Sequence, residues 1–95
     1  MRIKWLRLAL NDINEIAEFI ALDNPVAAPK VVSIIYDRVK LLSEHPNMGR
    51  HGRVANTREL VITGIPFIIP YRINNNVLEV IRVFHSSMDW KSNFS

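Results

Sequence analysis

Six cations lie between residues 50 and 95, and five of them are arginine: Arg50, Arg53, Arg58, Arg72 and Arg82, joined by Lys91. Arginine stays charged and forks two donors toward a phosphate or a carboxylate, so this half of the chain suits an anionic partner. Only Glu59, Glu79 and Asp89 oppose the six, whereas residues 1–49 carry six cations and six carboxylates that cancel. The whole formal charge of +3 therefore belongs to the second half. A solvated surface is the plainer account, because a charge of this size selects no partner alone. Arg58 and Arg72 divide evenly between partner contact and structural pairing with Glu59 or Glu79 on a neighbouring strand. Arg82 stands among apolar residues and needs an anionic or carbonyl partner, structural or functional.

Other groups offer less. His45 and His51 lack ligand spacing and a third donor, so no metal site is expected. Gly49, Gly52 and the arginines between them could cradle a phosphate. The P-loop spacing and its Lys-Ser/Thr are missing, so a turn is the better reading. His85, at a strand end, reads first as a hydrogen-bonded structural histidine. Trp5 and Trp90 pack together near the termini, or Trp90 anchors a partner. There is no cysteine, which excludes disulfides, thiolate metal sites and a cysteine nucleophile. No signal peptide and no membrane span can be read, so a cytoplasmic location and no membrane partner are expected.

The elements that must position these groups follow from periodicity. Arg2 to Leu6 alternates and predicts a strand. Ala9, Ile13, Ile16, Ala17 and Ile20 share one helical stripe, with Asn11, Asp12, Asn14, Glu15 and Glu18 opposite. Asp23-Asn24-Pro25 ends that helix. Ala28, Val31, Val32, Ile35, Val39 and Leu42 mark a second helix that stops before Pro46. Pro29 requires either a late start, which puts it in the first turn, or a distorted turn. A loop over 47–53 leads to strands at Arg58–Thr63, Phe67–Ile73 and Val77–His85. Asn74-Asn75-Asn76 closes the last two as a hairpin, since Asn tolerates positive φ. Pro70 cannot donate to a ladder and predicts a bulge or an edge. The 95 residues make one domain of α+β class, in the order β-α-α-β-β-β. A helical hairpin covers one face of a mostly antiparallel sheet, and the other face is expected to be partly open.

Several stretches, in this order, resemble the ParE/RelE family of toxins. Leu42-Ser43-Glu44-His45-Pro46-Asn47-Met48-Gly49-Arg50 is similar to the family's helix exit, where a Pro and a Gly-Arg follow the second helix. Thr57-Arg58-Glu59-Leu60-Val61 is similar to its third-strand start. Phe67-Ile68-Ile69-Pro70-Tyr71-Arg72 resembles its strand of an aromatic, an apolar run and Tyr-Arg. Ile81-Arg82-Val83-Phe84-His85 resembles its closing strand. The likeness spans about nine-tenths of the chain and rests on family analogy.

The resemblance implies a toxin of a type II toxin–antitoxin system, in a hetero-oligomer with a cognate antitoxin bearing an acidic amphipathic segment. It implies two mechanisms. ParE-like members poison DNA gyrase; Arg58, Arg72, Arg82 and His85 would then be target-binding, and Arg50, Arg53 and Trp90 further partner-binding residues. RelE-like members cut mRNA on the ribosome without a metal. For such a nuclease Arg58, Arg72 and Arg82 would be the cations, His85 the acid and Glu59 or Glu79 the base. No cofactor is expected on either route. Strand alternation puts Arg82 and His85 on opposite faces unless the strand twists or bulges between them. The lysine-rich stretch that RelE proper carries before its third strand is missing, and no tyrosine follows His85. Arg82-Val83-Phe84-His85-Ser86-Ser87-Met88 is closer to ParE members, so gyrase inhibition is the favoured expectation. A non-toxic relative that only binds its antitoxin is the third.

Overall fold

The computed structural model describes residues 1–87. Strand β1 (Arg2–Trp5) leads into helix α1 (Arg7–Asp23) and then α2 (Ala27–Glu44). Strands β2 (Arg50–His51), β3 (Arg58–Val61), β4 (Phe67–Asn74), β5 (Val77–Val80) and β6 (Phe84–His85) follow. Asn24 joins the helices. Its N–H closes α1 on the Ile20 carbonyl at 2.8 Å, and its side-chain Oδ1 accepts the Ala27 N–H that opens α2 at 3.1 Å. The late start puts Pro29 third in α2, where an N–H would have no partner inside the helix.

The sheet runs β1-β5-β4-β3-β2, and β6 pairs with β4 beyond the end of β5. All pairings are antiparallel except β1 with β5, which is parallel and joins Arg2 to Val77. Asn75 and Asn76 turn the β4–β5 hairpin at φ 49° and 64°, as their residue type suggested.

The expected single strand over Val77–His85 is interrupted. Tyr71 pairs with Val80 and Ile68 with Phe84, so Ile69 and Pro70 stand against Ile81, Arg82 and Val83. Two residues facing three is a bulge. Pro70 explains its place. The Pro70 carbonyl accepts the Ile81 N–H at 2.9 Å, so its missing donor points at the same neighbour and the ladder lapses there.

Ala9 and Ile13 of α1 and Ile35, Val39 and Leu42 of α2 pack on Leu60, Ile69, Tyr71, Leu78, Val80 and Val83. This is the core between helices and sheet. The opposite face is partly open, as expected, with Val61, Arg50 and Arg72 about half exposed. Ile68, Ile81 and Phe84 are buried there, together with Glu59 and Glu79. Arginine side chains account for part of that cover: Arg50 and Arg53 lie on Glu59, Arg72 lies on Glu79, and Arg82 stacks on the Phe84 ring at 4.4 Å.

Candidate functional site

Every arginine singled out from the sequence is bonded within the chain. Arg58, paired across the sheet with Tyr71, gives its Nη1 donor to the Gly49 carbonyl at 2.8 Å and to the Asn47 carbonyl at 3.4 Å. Arg72 is directly opposite Glu79 in the β4–β5 register, and Nε–H donates to Oε1 at 2.6 Å. Arg50 and Arg53 share the Glu59 carboxylate, at 2.9 Å and 3.3 Å. The Arg53 backbone N–H reaches the same carboxylate at 3.0 Å. Arg50 and Arg53 keep 56% and 43% of their side-chain surface exposed, and Arg72 keeps 42%.

Arg82 is held more tightly. Its Nε and Nη2 donate to the two carboxylate oxygens of Asp12 at 2.7 and 3.0 Å. The Val83 N–H, left without a ladder partner by the bulge, also reaches Asp12 Oδ2 at 2.9 Å. This bond to Asp12 pushes the Arg82 guanidinium further up from its ordinary range. Asp12 is therefore a correction: it does not belong with the solvent-facing residues of α1. It lies three residues after Ala9 and four before Ile16, at the border of the apolar stripe, and points at the sheet.

The bulge also answers the question of faces. Arg82 and His85 line one groove, of about 390 Å³, with Phe19 and Ile20 of α1 and with Phe67 and Phe84. His85 packs edge-on against Phe67 at 5.8 Å and exchanges bonds with Ser87: its Nδ1 lies 2.7 Å from the hydroxyl and accepts the Ser87 N–H at 3.2 Å. Arg58 and Arg72 border a different groove, of about 560 Å³, with His51 and Thr57. The four residues proposed for nuclease chemistry thus divide into two pairs.

The glycine-rich loop is a packing device. A Cβ on Gly49 would stand 2.6 Å from the Tyr71 ring and hydroxyl, so only glycine admits that ring. The Gly49 N–H donates to the Tyr71 hydroxyl at 3.0 Å, which itself donates to the Pro46 carbonyl at 2.7 Å. Burial raises the Tyr71 phenol above its usual 10.0, against smaller lowering by the Gly49 bond and the Arg58 charge. The Gly52 N–H is bonded to the Thr57 carbonyl at 2.8 Å. Neither glycine N–H is left for a phosphate. Trp5 packs on Tyr36 at 4.7 Å, and Trp90 lies outside the described residues. Among the described residues no cluster of ligands fits a metal ion, and no helix is long and apolar enough to cross a membrane.

Comparison with known proteins agrees with this arrangement. The family model for the ParE toxin of the type II toxin–antitoxin system parDE matches residues 3–90. "Putative toxin Y4kP" of Sinorhizobium fredii is 46% identical over 89 residues, covering 94% of this chain and 92% of that protein. Toxin RelE2 of Caulobacter vibrioides is 28% identical, with 90% and 96% covered. A chain from the solved chromosomal ParDE system of P. aeruginosa superposes with a TM-score of 0.84 at 30% identity, over 90% of this chain and 95% of that one. The two helices packed on a mixed sheet are thus a family fold, and the chain belongs to the ParE toxin family of type II toxin–antitoxin systems.

Proposed function

We propose that this protein arrests growth by binding DNA gyrase, catalyses no reaction of its own, and is held inactive by its cognate antitoxin. The observation that carries the reading is the separation of the candidate groups along β4. Arg58 sits opposite Tyr71 and His85 opposite Phe67. Four residues of strand, roughly 13 Å, lie between them.

Metal-free RNA cleavage needs a base, an acid and cations around one phosphate. Arg82 does share a groove with His85, but Asp12 neutralises it. Glu59 and Glu79 are tied to other arginines. A binding surface makes no such demand for convergence. Arg50, Arg53 and Arg72, each about half exposed, suit a contact with an acidic protein surface.

Purified toxin added to gyrase and relaxed plasmid tests the reading. Supercoiling should fall and cleaved DNA accumulate in proportion to toxin, and induced cells should mount an SOS response. Full supercoiling with toxin in excess refutes gyrase as the target. Codon-phased cuts in a translated message, lost in His85→Ala and Arg82→Ala, would establish the ribosome and mRNA as the target instead.

A further inference from the structure

The groove of about 390 Å³ between α1 and the bulged end of the sheet shares no residue with the half-exposed Arg50, Arg53 and Arg72. Asp12 and Arg82 both line it, but they cancel each other in a two-bond pair. The rest of the lining is mostly apolar, with Ile16 and Phe19 on the helix side and Phe67 and Phe84 on the sheet side. A groove of this volume falls in the range of small-molecule sites. Phe19 is 73% exposed, so most of its ring has no apolar neighbour.

Two polar groups remain, one on each side. Glu15 is exposed and makes no ion pair or hydrogen bond among the described residues, although its charge is felt at Arg82. It stands four residues before Phe19, so the carboxylate and the ring are neighbours on one face of α1. His85 lies on the sheet side. Its Nδ1 accepts the Ser87 N–H, so the neutral ring carries its proton on Nε2 and keeps a donor there. A carboxylate, an apolar span and an N–H donor follow one another across the groove.

We infer that this groove binds a small aromatic amine, with an ammonium on a short alkyl arm and a hydroxyl at the far side of the ring. The ammonium pairs with Glu15, the one charge of the groove that no ion pair cancels. The ring lies against Phe19 in the offset or edge-on geometry that aromatic pairs prefer. The hydroxyl oxygen accepts the Nε2–H of His85. Glu15 disfavours an aromatic acid of the same shape. The site is independent of the gyrase reading and stands or falls without it.

Tyramine titrated into the full-length chain and followed by NMR tests the site. The signals of Glu15, Phe19 and His85 should shift together and saturate. Glu15→Gln should weaken binding about threefold, the scale of one solvent-screened ion pair. Phe19→Ala and His85→Ala should each weaken it about fivefold. All three side chains are exposed, so the variants keep the fold. Phenethylamine, which lacks the hydroxyl, should bind the parent and His85→Ala alike. Leu22→Ala, on α1 outside the groove, should bind tyramine as the parent does. The carboxylate analogue 4-hydroxyphenylpropionate should bind more weakly than tyramine. Equal binding of the acid and the amine, or no saturable shift at these residues with tyramine in millimolar excess, overturns the proposal. Phe19 shifts that follow protein concentration and not tyramine give the groove to a second copy, and overturn it as well.

Discussion

At Asp12 a carboxylate and a guanidinium shelter each other, with side chains 11% and 17% exposed. At Glu59 the carboxylate is wholly covered while its two arginines remain about half in solvent. The first pair ties α1 to the bulged last strand across 70 residues of sequence. The second ties a loop to the neighbouring strand. Removing a partner from the Asp12 pair strands a charge that water barely reaches. Removing Glu59 from its cluster leaves arginines that can hydrate. Arginines of the second kind keep donors in solvent and can take an external partner beside the internal one, so they are the better candidates for recognition.

Substitutions can break this contrast or sharpen it. Asp12→Ala should cost the most, about 3 kcal/mol in urea unfolding, because Arg82 and the Val83 N–H both lose their acceptor. Glu59→Ala should cost about 2 kcal/mol, since the freed arginines recover hydration. Equal losses at the two sites would erase the distinction.

Tyr71→Phe should cost about 1 kcal/mol through its bonds to Gly49 and Pro46. It should also change the alkaline limb of stability. An unfolded tyrosine ionises near 10.0 and the folded one higher. The phenol's contribution is therefore whole below pH 10 and is lost as the pH rises through 10 and on through the folded value. Thermal melts of the parent should show that loss, and melts of Tyr71→Phe should not. Arg72→Ala should cost about 1 kcal/mol as well, because the Glu79 carboxylate it leaves behind is only 11% exposed. The same variant should lose gyrase inhibition; full inhibition would remove Arg72 from the recognition surface.

Periodicity located the helices and the Asn turn, because each depends on local geometry, while Pro29 left a late start and a distorted turn both open. A fault at Pro70, a bulge or an edge, was legible for the same reason: a missing donor must lie opposite a break in the ladder. The size of the fault was not legible, since a one-residue slip between Tyr71–Val80 and Ile68–Phe84 depends on pairing across the sheet. Asp12 was misplaced because a carboxylate beside an apolar stripe reads as solvated until its cation is known. A signal was present: Arg82, on an apolar strand, lacked a partner, and Asp12 had helical spacing to Ala9 and Ile16. Of the candidate site, the residue types were legible. Their division between two grooves was not, because it arises from where the bulge redirects the chain.

The parallel pairing of β1 with β5 has a consequence for the order of assembly. Arg2 meets Val77 and Trp5 meets Val80, so the first strand waits 75 residues for its neighbour. While the chain emerges from the ribosome, the helical hairpin can form but has no completed sheet to rest on. Contacts so distant are slow to close. A fragment released before residue 77 would lack both the β5 neighbour of β1 and the arginine that Asp12 clasps. The folded toxin thus comes into being late in its own translation, which gives an antitoxin made alongside it time to be waiting.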